Sequence, residues 1–275
     1  MPELPEVETV VRGLRKILIG TKVKQLLILW EGHFIHSPQN PKNISRDIFQ
    51  RKIIDIKRCG KRILFVLSGD RFILTHLKMT GAFLFGNKHK NDKFIRVIIL
   101  TSKGPLFFSD IRKFGRIQYG NKNEILYSKE FLEIGPDPLI VNFNGFKKRF
   151  VNKRGEIKKV LLEQKNISGI GNIYADEILY QVGIHPKSRI ENLNVDQFKQ
   201  IYKVSKKIFN KSIALGGTSI RDFRNIKGEK GDYIKFCRVY GRKGEKCLNN
   251  CASKIIREII CGRSSFYCII CQKKY

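Results

Sequence analysis

Apolar residues first recur at helical spacing: Val7, Val10, Val11, Leu14 and Leu18 share one face, with Pro5 near the first turn and Gly20 just past the end. The pattern predicts an amphipathic helix over residues 5–19. From Val23 to about Gly120 the pattern changes, and runs rich in Ile, Leu, Val and Phe follow at 23–30, 53–57, 62–67, 72–77, 94–100 and 106–108. Turn formers such as Ser68-Gly69-Asp70 and Lys103-Gly104-Pro105 separate several of them, which predicts a β-sandwich or barrel-like sheet. Gly135-Pro136-Asp137-Pro138 suits neither helix nor strand and places a hinge near 135–150. Beyond it, 155–162, 173–180, 195–210 and the stretch ending at Gly216-Gly217 read as helices.

Charge adds a partner to this outline. Lys and Arg number 54 against 24 acids, a net charge of +30, which points to a polyanion and above all to nucleic acid. No apolar stretch approaches the ~18 residues of a membrane span, and the first residues lack a signal-like apolar core, so a soluble intracellular protein is expected.

Seven cysteines cannot all pair internally, and four of them form two close pairs: Cys247 and Cys251, then Cys268 and Cys271. This approximates the two-knuckle, four-thiolate zinc pattern, in which one structural Zn2+ replaces a hydrophobic core that so short a segment cannot build. Cys59, Cys237 and Cys261 lie outside it and read as ordinary small residues. The segment Phe236 to Tyr275 carries nine basic and two acidic residues, which would present charge to a phosphate backbone.

The chain opens Met1-Pro2-Glu3-Leu4-Pro5-Glu6. Loss of Met1, favoured by the small residue that follows, would free a proline amine whose ordinary pKa near 8 leaves more neutral base at physiological pH than a lysine at ~10.4. A secondary amine can attack a sugar C1′ and form an iminium, an electron sink that a neighbouring carboxylate can exploit.

This opening resembles the N-terminal signature of the formamidopyrimidine-DNA glycosylase family, and further similarities run along almost the entire chain. The resemblance implies that Pro2 is the nucleophile, with Glu3 as acid/base, and brings Glu6 into the same site. Lys61, in Cys59-Gly60-Lys61-Arg62, matches the family's β-turn lysine that approaches the lesion and its phosphate. Thr75-His76-Leu77-Lys78-Met79-Thr80-Gly81 is similar to the strand end that supplies a DNA-binding His76 and a methionine, Met79, to fill the gap left by an everted base; Lys78 stands where the family carries glycine. Asp110-Ile111-Arg112-Lys113-Phe114-Gly115 resembles the loop whose arginine (Arg112) contacts the orphaned cytosine and whose phenylalanine (Phe114) wedges into the stack, offsetting the few kcal/mol that base extrusion costs. Ile170-Gly171-Asn172-Ile173-Tyr174-Ala175-Asp176-Glu177 is similar to the helix-two-turns-helix element, with Asn172 and the upstream Lys165 on phosphate. Gly216-Gly217-Thr218-Ser219 resembles a loop that closes over an oxidised purine. Arg263 matches the zinc-hairpin arginine that binds phosphate in the lesion strand. The first cysteine pair departs from the family by one extra intervening residue.

The expectation is an α+β chain: an N-terminal helix plus catalytic β-sandwich domain over 1–134, a helical helix-two-turns-helix domain over 135–235, and a four-cysteine zinc-finger β-hairpin over 236–275. The implied activity is a bifunctional DNA glycosylase and AP lyase of base-excision repair, removing 8-oxoguanine and formamidopyrimidines and cutting the strand by β,δ-elimination. Its partner would be double-stranded DNA with oxidised bases or abasic sites, acted on by a monomer in the cytoplasm at the nucleoid. Leu4 and the Arg112–Phe114 segment separate the chain from an endonuclease VIII-like enzyme for oxidised pyrimidines. The Pro2-Glu3 start separates it from a noncatalytic basic zinc protein that binds nucleic acid.

Overall fold

The computed structural model describes residues 1–34 and 37–275. The chain divides into two compact units, Met1–Leu132 with Leu215–Asp232, and Glu133–Ala214 with Tyr233–Tyr275.

In the first unit, α1 (Leu4–Leu18) realises the predicted amphipathic helix and buries Val7, Val10, Val11, Leu14 and Leu18. Strands β1 (Val23–Ile28), β2 (Ile53–Cys59), β3 (Arg62–Leu67), β4 (Arg71–His76), β5 (Ala82–Phe85), β6 (Ile95–Thr101), β7 (Gly104–Ser109) and β8 (Arg116–Asn121) form two four-stranded sheets, ordered β1-β6-β7-β5 and β2-β3-β4-β8. All their pairings are antiparallel. One core joins both sheets to α1: Leu26, Phe83, Val97 and Phe108 from the first sheet meet Ile56, Ile63, Phe65, Ile73, Ile117 and Tyr119 from the second. Helix α2 (Pro41–Asp47) adds Ile44 to it. β3 is buried on both faces because Ile63 and Phe65 point to that core while Leu64 joins Phe72, Leu74 and Ile125 under α3 (Lys122–Leu126) and α4 (Lys129–Leu132).

Leu215–Asp232 comes from the region that the sequence outline carries unbroken to 235, yet it packs with the first unit. Asp232 N–H donates to Leu215 O at 2.9 Å, which closes the segment, and Ile226 enters the sandwich core beside α1. A Cβ at Gly13 would lie 2.9 Å from Ile226 Cδ1, so the one glycine inside α1 marks this close approach.

In the second unit, α5 (Phe143–Lys148), α6 (Ile157–Leu162), α7 (Asn172–Gln181) and α8 (Val195–Ala214) precede the hairpin of β9 (Ile256–Ile260) and β10 (Arg263–Tyr267). Residues Ile173 to Tyr180 of α7 are all buried, as expected of a helix surrounded by its unit. Rings of Phe146, Phe150, Phe198 and Tyr202 pack where α5 meets α8. Cys261 and Gly262, both at positive φ (51° and 70°), turn the hairpin, the backbone that a two-residue type I′ connection needs.

Candidate active site and nucleic-acid interface

The start of the chain is not solvated tail. Pro2, Glu3 and Glu6 are buried as α1 begins. Glu6 uses both oxygens: Oε2 accepts the Glu3 N–H at 2.8 Å and Oε1 accepts the Thr218 N–H at 2.6 Å. The second bond joins the chain start to the 215–232 loop across 212 positions of sequence. Gly217, at φ +87°, lies so close that a Cβ would sit 3.1 Å from Glu6 Cγ; at Gly231 a Cβ would meet the Gly217 carbonyl at 2.3 Å. Glycine is required at both positions, the first for its backbone angle as well as its bulk.

Lys61, 5% exposed in the β2–β3 turn, is within electrostatic reach of the amino terminus. Burial lowers the pKa of that terminal amine, Lys61 pushes in the same direction, and Glu3, Glu6 and Asp222 oppose them. A half-buried amine among three carboxylates and a lysine has the character of a tuned acid-base centre rather than a free terminus.

His76 ends β4, where burial foremost, and then Lys78, Arg62, Lys61 and Arg116, push its pKa well below the usual value. The ring is therefore neutral near pH 7. Its Nδ1 accepts the Lys78 N–H at 3.0 Å, leaving Nε2 to carry the hydrogen and to donate. Lys78 occupies the left-handed region at φ +53°, so this chain adopts with a lysine a backbone that glycine takes more easily.

Met79 and Phe114 are 42% and 51% exposed, at the tips of two turns in the first unit. Exposure of large apolar groups on a strongly basic protein is what a wedge requires and a core residue lacks. Arg112 stacks over the Phe114 ring at 4.6 Å, and Lys113 over Trp30 at 3.9 Å.

In the second unit, Asn172 begins α7 and donates through Nδ2 to Ser264 O at 2.7 Å, fastening the helix start to the hairpin beside the exposed Arg263. Lys165 is exposed, and its carbonyl accepts from Arg149 Nη2 at 2.6 Å. Arg263 shares a surface depression with Arg154, Lys159 and Arg189. Cys261 is exposed next to Arg263 and its thiol donates to Glu156 at 2.9 Å; burial and that carboxylate push the thiol up to about 11, so it is a poor nucleophile.

The four predicted ligand cysteines converge. The sulfurs of Cys247, Cys251, Cys268 and Cys271 all lie within 4.8 Å of one another, and together they could hold a metal ion. Asn250, inside the first pair, and Ala252, just after it, both adopt left-handed backbone at φ 55° and 57°.

Two supporting carboxylates carry no signal of their own in the sequence beyond their place in the Asn172 motif. Asp176, 1% exposed on α7, accepts from Lys158 Nζ at 2.6 Å and from the Phe266 N–H at 2.9 Å. Burial pushes the Asp176 carboxyl up against the pull of Lys158. Lys158, with 0% exposure, also donates to Ser265 Oγ at 2.5 Å. Glu177 accepts the N–H groups of Arg238, Val239 and Tyr240 at 2.9–3.0 Å. Adjacent residues of one helix thus tie down the hairpin and the segment leading to the cysteines.

The whole chain has known counterparts. A family model described as the formamidopyrimidine-DNA glycosylase N-terminal domain matches residues 1–117, and one for the H2TH domain of the same enzymes matches residues 134–224. A formamidopyrimidine-DNA glycosylase of Solibacter usitatus is 37% identical, covering 100% of both chains, and that of Desulfitobacterium hafniense is 34% identical over 99% of this chain and 100% of its own. Among solved structures, the Lactococcus lactis Fpg in complex with DNA containing an abasic site superposes with a TM-score of 0.89 at 30% identity, covering 99% of this chain and 100% of that one. A point mutant of the same enzyme with Fapy-dG containing DNA gives 0.90 at 30% identity and the same coverage. Among the described residues no helix is long and apolar enough to cross a membrane. With both domain models matched and relatives covered end to end, this chain belongs to the formamidopyrimidine-DNA glycosylase family of DNA-repair enzymes.

Proposed function

We propose that the chain, once Met1 is removed, excises oxidised purines such as 8-oxoguanine and formamidopyrimidines from double-stranded DNA and then cuts the strand as an AP lyase. The observation that carries this reading is the chain start itself, buried beside Glu3, Glu6 and Lys61 and bonded through Glu6 to the 215–232 loop. The same surroundings would lower the Pro2 amine pKa, burial first, and so enlarge its neutral, nucleophilic fraction near pH 7.

Pro2 nitrogen attacks C1′ of the damaged nucleotide and the glycosidic electron pair leaves with the base, which takes up a proton; the nitrogen then gives up its own proton, and its lone pair opens the sugar by expelling O4′, which Glu3 protonates, so that the iminium forms at C1′. Glu3 moves the protons: loss of one from C2′ feeds electrons to the iminium and expels the 3′ phosphate (β), and a second round expels the 5′ phosphate (δ). Lys61 and Arg263 hold the phosphates at the lesion, and Lys165 and Asn172 bind the same strand's backbone. Neutral His76 donates a hydrogen bond to DNA. Met79, Arg112 and Phe114 fill the space the extruded nucleotide vacates.

The cysteine cluster fits one structural Zn2+. Thiolates ~2.3 Å from a tetrahedral zinc lie ~3.8 Å apart, and the sulfur contacts are 3.7 Å for Cys247 with Cys271 and 3.4 Å for Cys251 with Cys268, too long for disulfides. Zinc would supply folding energy to the hairpin and no chemistry. The enzyme acts as a monomer at the nucleoid, in the cytoplasm.

The test is borohydride trapping of processed protein on an 8-oxoguanine:cytosine duplex. We expect a covalent adduct that Pro2→Gly abolishes and whose formation rate rises with pH through a midpoint below the ordinary α-amine value of about 8. Equal trapping by Pro2→Gly, or trapping only on oxidised pyrimidines, overturns the assignment.

A further inference from the structure

Asp110, with 0% exposure, sits where β7 gives way to the loop that carries Arg112 and Phe114. A buried carboxylate is costly unless donors surround it. Here they come from two loops: Oδ1 accepts from the Thr80 hydroxyl, in the turn that carries Met79, and Oδ2 accepts the Gly115 N–H at 2.8 Å. The Thr80 oxygen in turn accepts the Arg112 N–H at 3.0 Å. His33, buried and kept neutral by that burial, donates from Nδ1 to the Gly115 carbonyl at 2.8 Å, and its ring meets Phe108 edge-on at 5.2 Å. Phe94 O accepts the Asp110 N–H at 2.9 Å, which fixes the backbone that carries the carboxylate.

Both loops need such an anchor. Lys78 and Lys113 stand in the left-handed region, at φ 53° and 57°, a conformation that costs a non-glycine residue ~1–2 kcal/mol. Both loops are tightly wound: a Cβ at Gly115 would come within 2.7 Å of Phe108 Cζ and one at Gly81 within 2.5 Å of the Leu77 carbonyl in its own turn.

We propose that Asp110 and Thr80 are positioning residues that lock the Met79 turn and the Arg112–Phe114 loop into a single rigid wedge, so that the three side chains enter a duplex as one body. This rests on the wedge role given above to Met79, Arg112 and Phe114. The energetic logic is preorganisation: two loops tied before binding lose less conformational entropy when they enter the stack. Neither anchor need touch DNA, since Asp110 is enclosed and Thr80 is 9% exposed.

The experiment follows 2-aminopurine placed opposite a tetrahydrofuran abasic analogue, by stopped-flow fluorescence and titration, with full-length wild type, Thr80→Val, Thr80→Ser, Phe114→Ala and the Thr80→Val/Phe114→Ala double variant. Thr80→Val keeps shape and removes the link; it should weaken lesion-duplex binding about tenfold and slow the fluorescence step, with undamaged-duplex binding unchanged within about twofold. Thr80→Ser should restore wild-type behaviour. In the Phe114→Ala background the effect of Thr80→Val should shrink to below about threefold, because the side chain being positioned is gone. Equal losses on both duplexes, failure of Thr80→Ser to rescue, or full additivity in the double variant would overturn the proposal. If Thr80→Val does not fold, Asp110→Asn, which withdraws one acceptor, is read in the same way. A wild type with no lesion-dependent fluorescence change overturns the wedge role itself, and a wild-type response with Thr80→Val indistinguishable from it overturns only the lock.

Discussion

The β-sandwich and the C-terminal hairpin solve the same problem with different proportions of apolar and polar support. In the sandwich, α1 and two sheets enclose one apolar core, in which the Phe83 ring packs against both Phe65 and Phe108. In the second unit, β9 and β10 are two short strands, which alone are marginal in water; a small apolar cluster of Tyr180, Val239, Ile255 and Phe266 backs them, and polar devices complete their support: four converging thiols, the Lys158–Asp176 pair and the Glu177 carboxylate. Apolar burial is non-directional and tolerant of small errors. A metal-sized thiol cluster and a buried ion pair either keep every partner or lose much of their value.

Metal removal should break the comparison most sharply. Chelation, or Cys268→Ser, should remove on the order of 10 kcal/mol of metal-dependent folding energy, seen as loss of amide-exchange protection at Phe266 and Cys268 while Phe65 in β3 stays protected. Joint unfolding of both regions would show that they are not separately stabilised. Next, Phe65→Ala should cost about 4 kcal/mol in urea unfolding and leave Phe266 protection intact.

A nearby magnitude tests the polar design. Lys158→Met should cost about 3 kcal/mol by leaving Asp176 buried without its cation, read out at the Phe266 amide, whose acceptor is Asp176. Adding Asp176→Asn should recover more than half of that loss, since charge and counter-charge are then both absent.

The sandwich has its own polar brace, and it answers to pH. Although burial opposes it, hydrogen bonds from Arg51, Arg71 and Tyr119 hold the Asp47 carboxyl down at about 2. A depressed folded pKa contributes stability above the unfolded value near 3.9 and loses it as pH falls towards 2. Asp47→Asn should therefore cost about 2 kcal/mol at pH 7, and the gap between variant and wild type should close between pH 4 and 2 in thermal melts. A gap independent of pH would assign the loss to packing. The smallest effect is a gain: Lys78→Gly should stabilise by about 0.5 kcal/mol, relief of the left-handed backbone outweighing the added freedom of the unfolded chain, and no gain would mean that Lys78 makes compensating contacts.

Much of the fold was legible because its signals are local. The period of Val7, Val10, Val11, Leu14 and Leu18 matches α1 to within a residue at each end, and β3 runs over 62–67 as the sequence predicts. β5 and β8 escaped notice for physical reasons. Ala82–Phe85 is only four residues, and Arg116–Asn121 offers just Ile117 and Tyr119 to a core while its remaining positions are polar or glycine. Their identity as strands depends on β7 and β4 being there to pair with. The short helices α2 to α5 likewise gain their order from packing rather than from a periodic pattern too short to read.

The residue types that the chemistry needs and the spacings that bring cysteines into pairs are written in the chain alone, since they depend on neighbours a few positions apart. Only the tertiary structure decided that Leu215–Asp232 packs with the N-terminal helix, that Glu6 reaches Thr218, that Asp110 joins two loops and that Asp176 meets Lys158. Those contacts link positions 18 to 212 residues apart, and a carboxylate's letter is the same whether it ends in water or in the interior. Burial and the donors around it, which one chain position cannot encode alone, decide what it does.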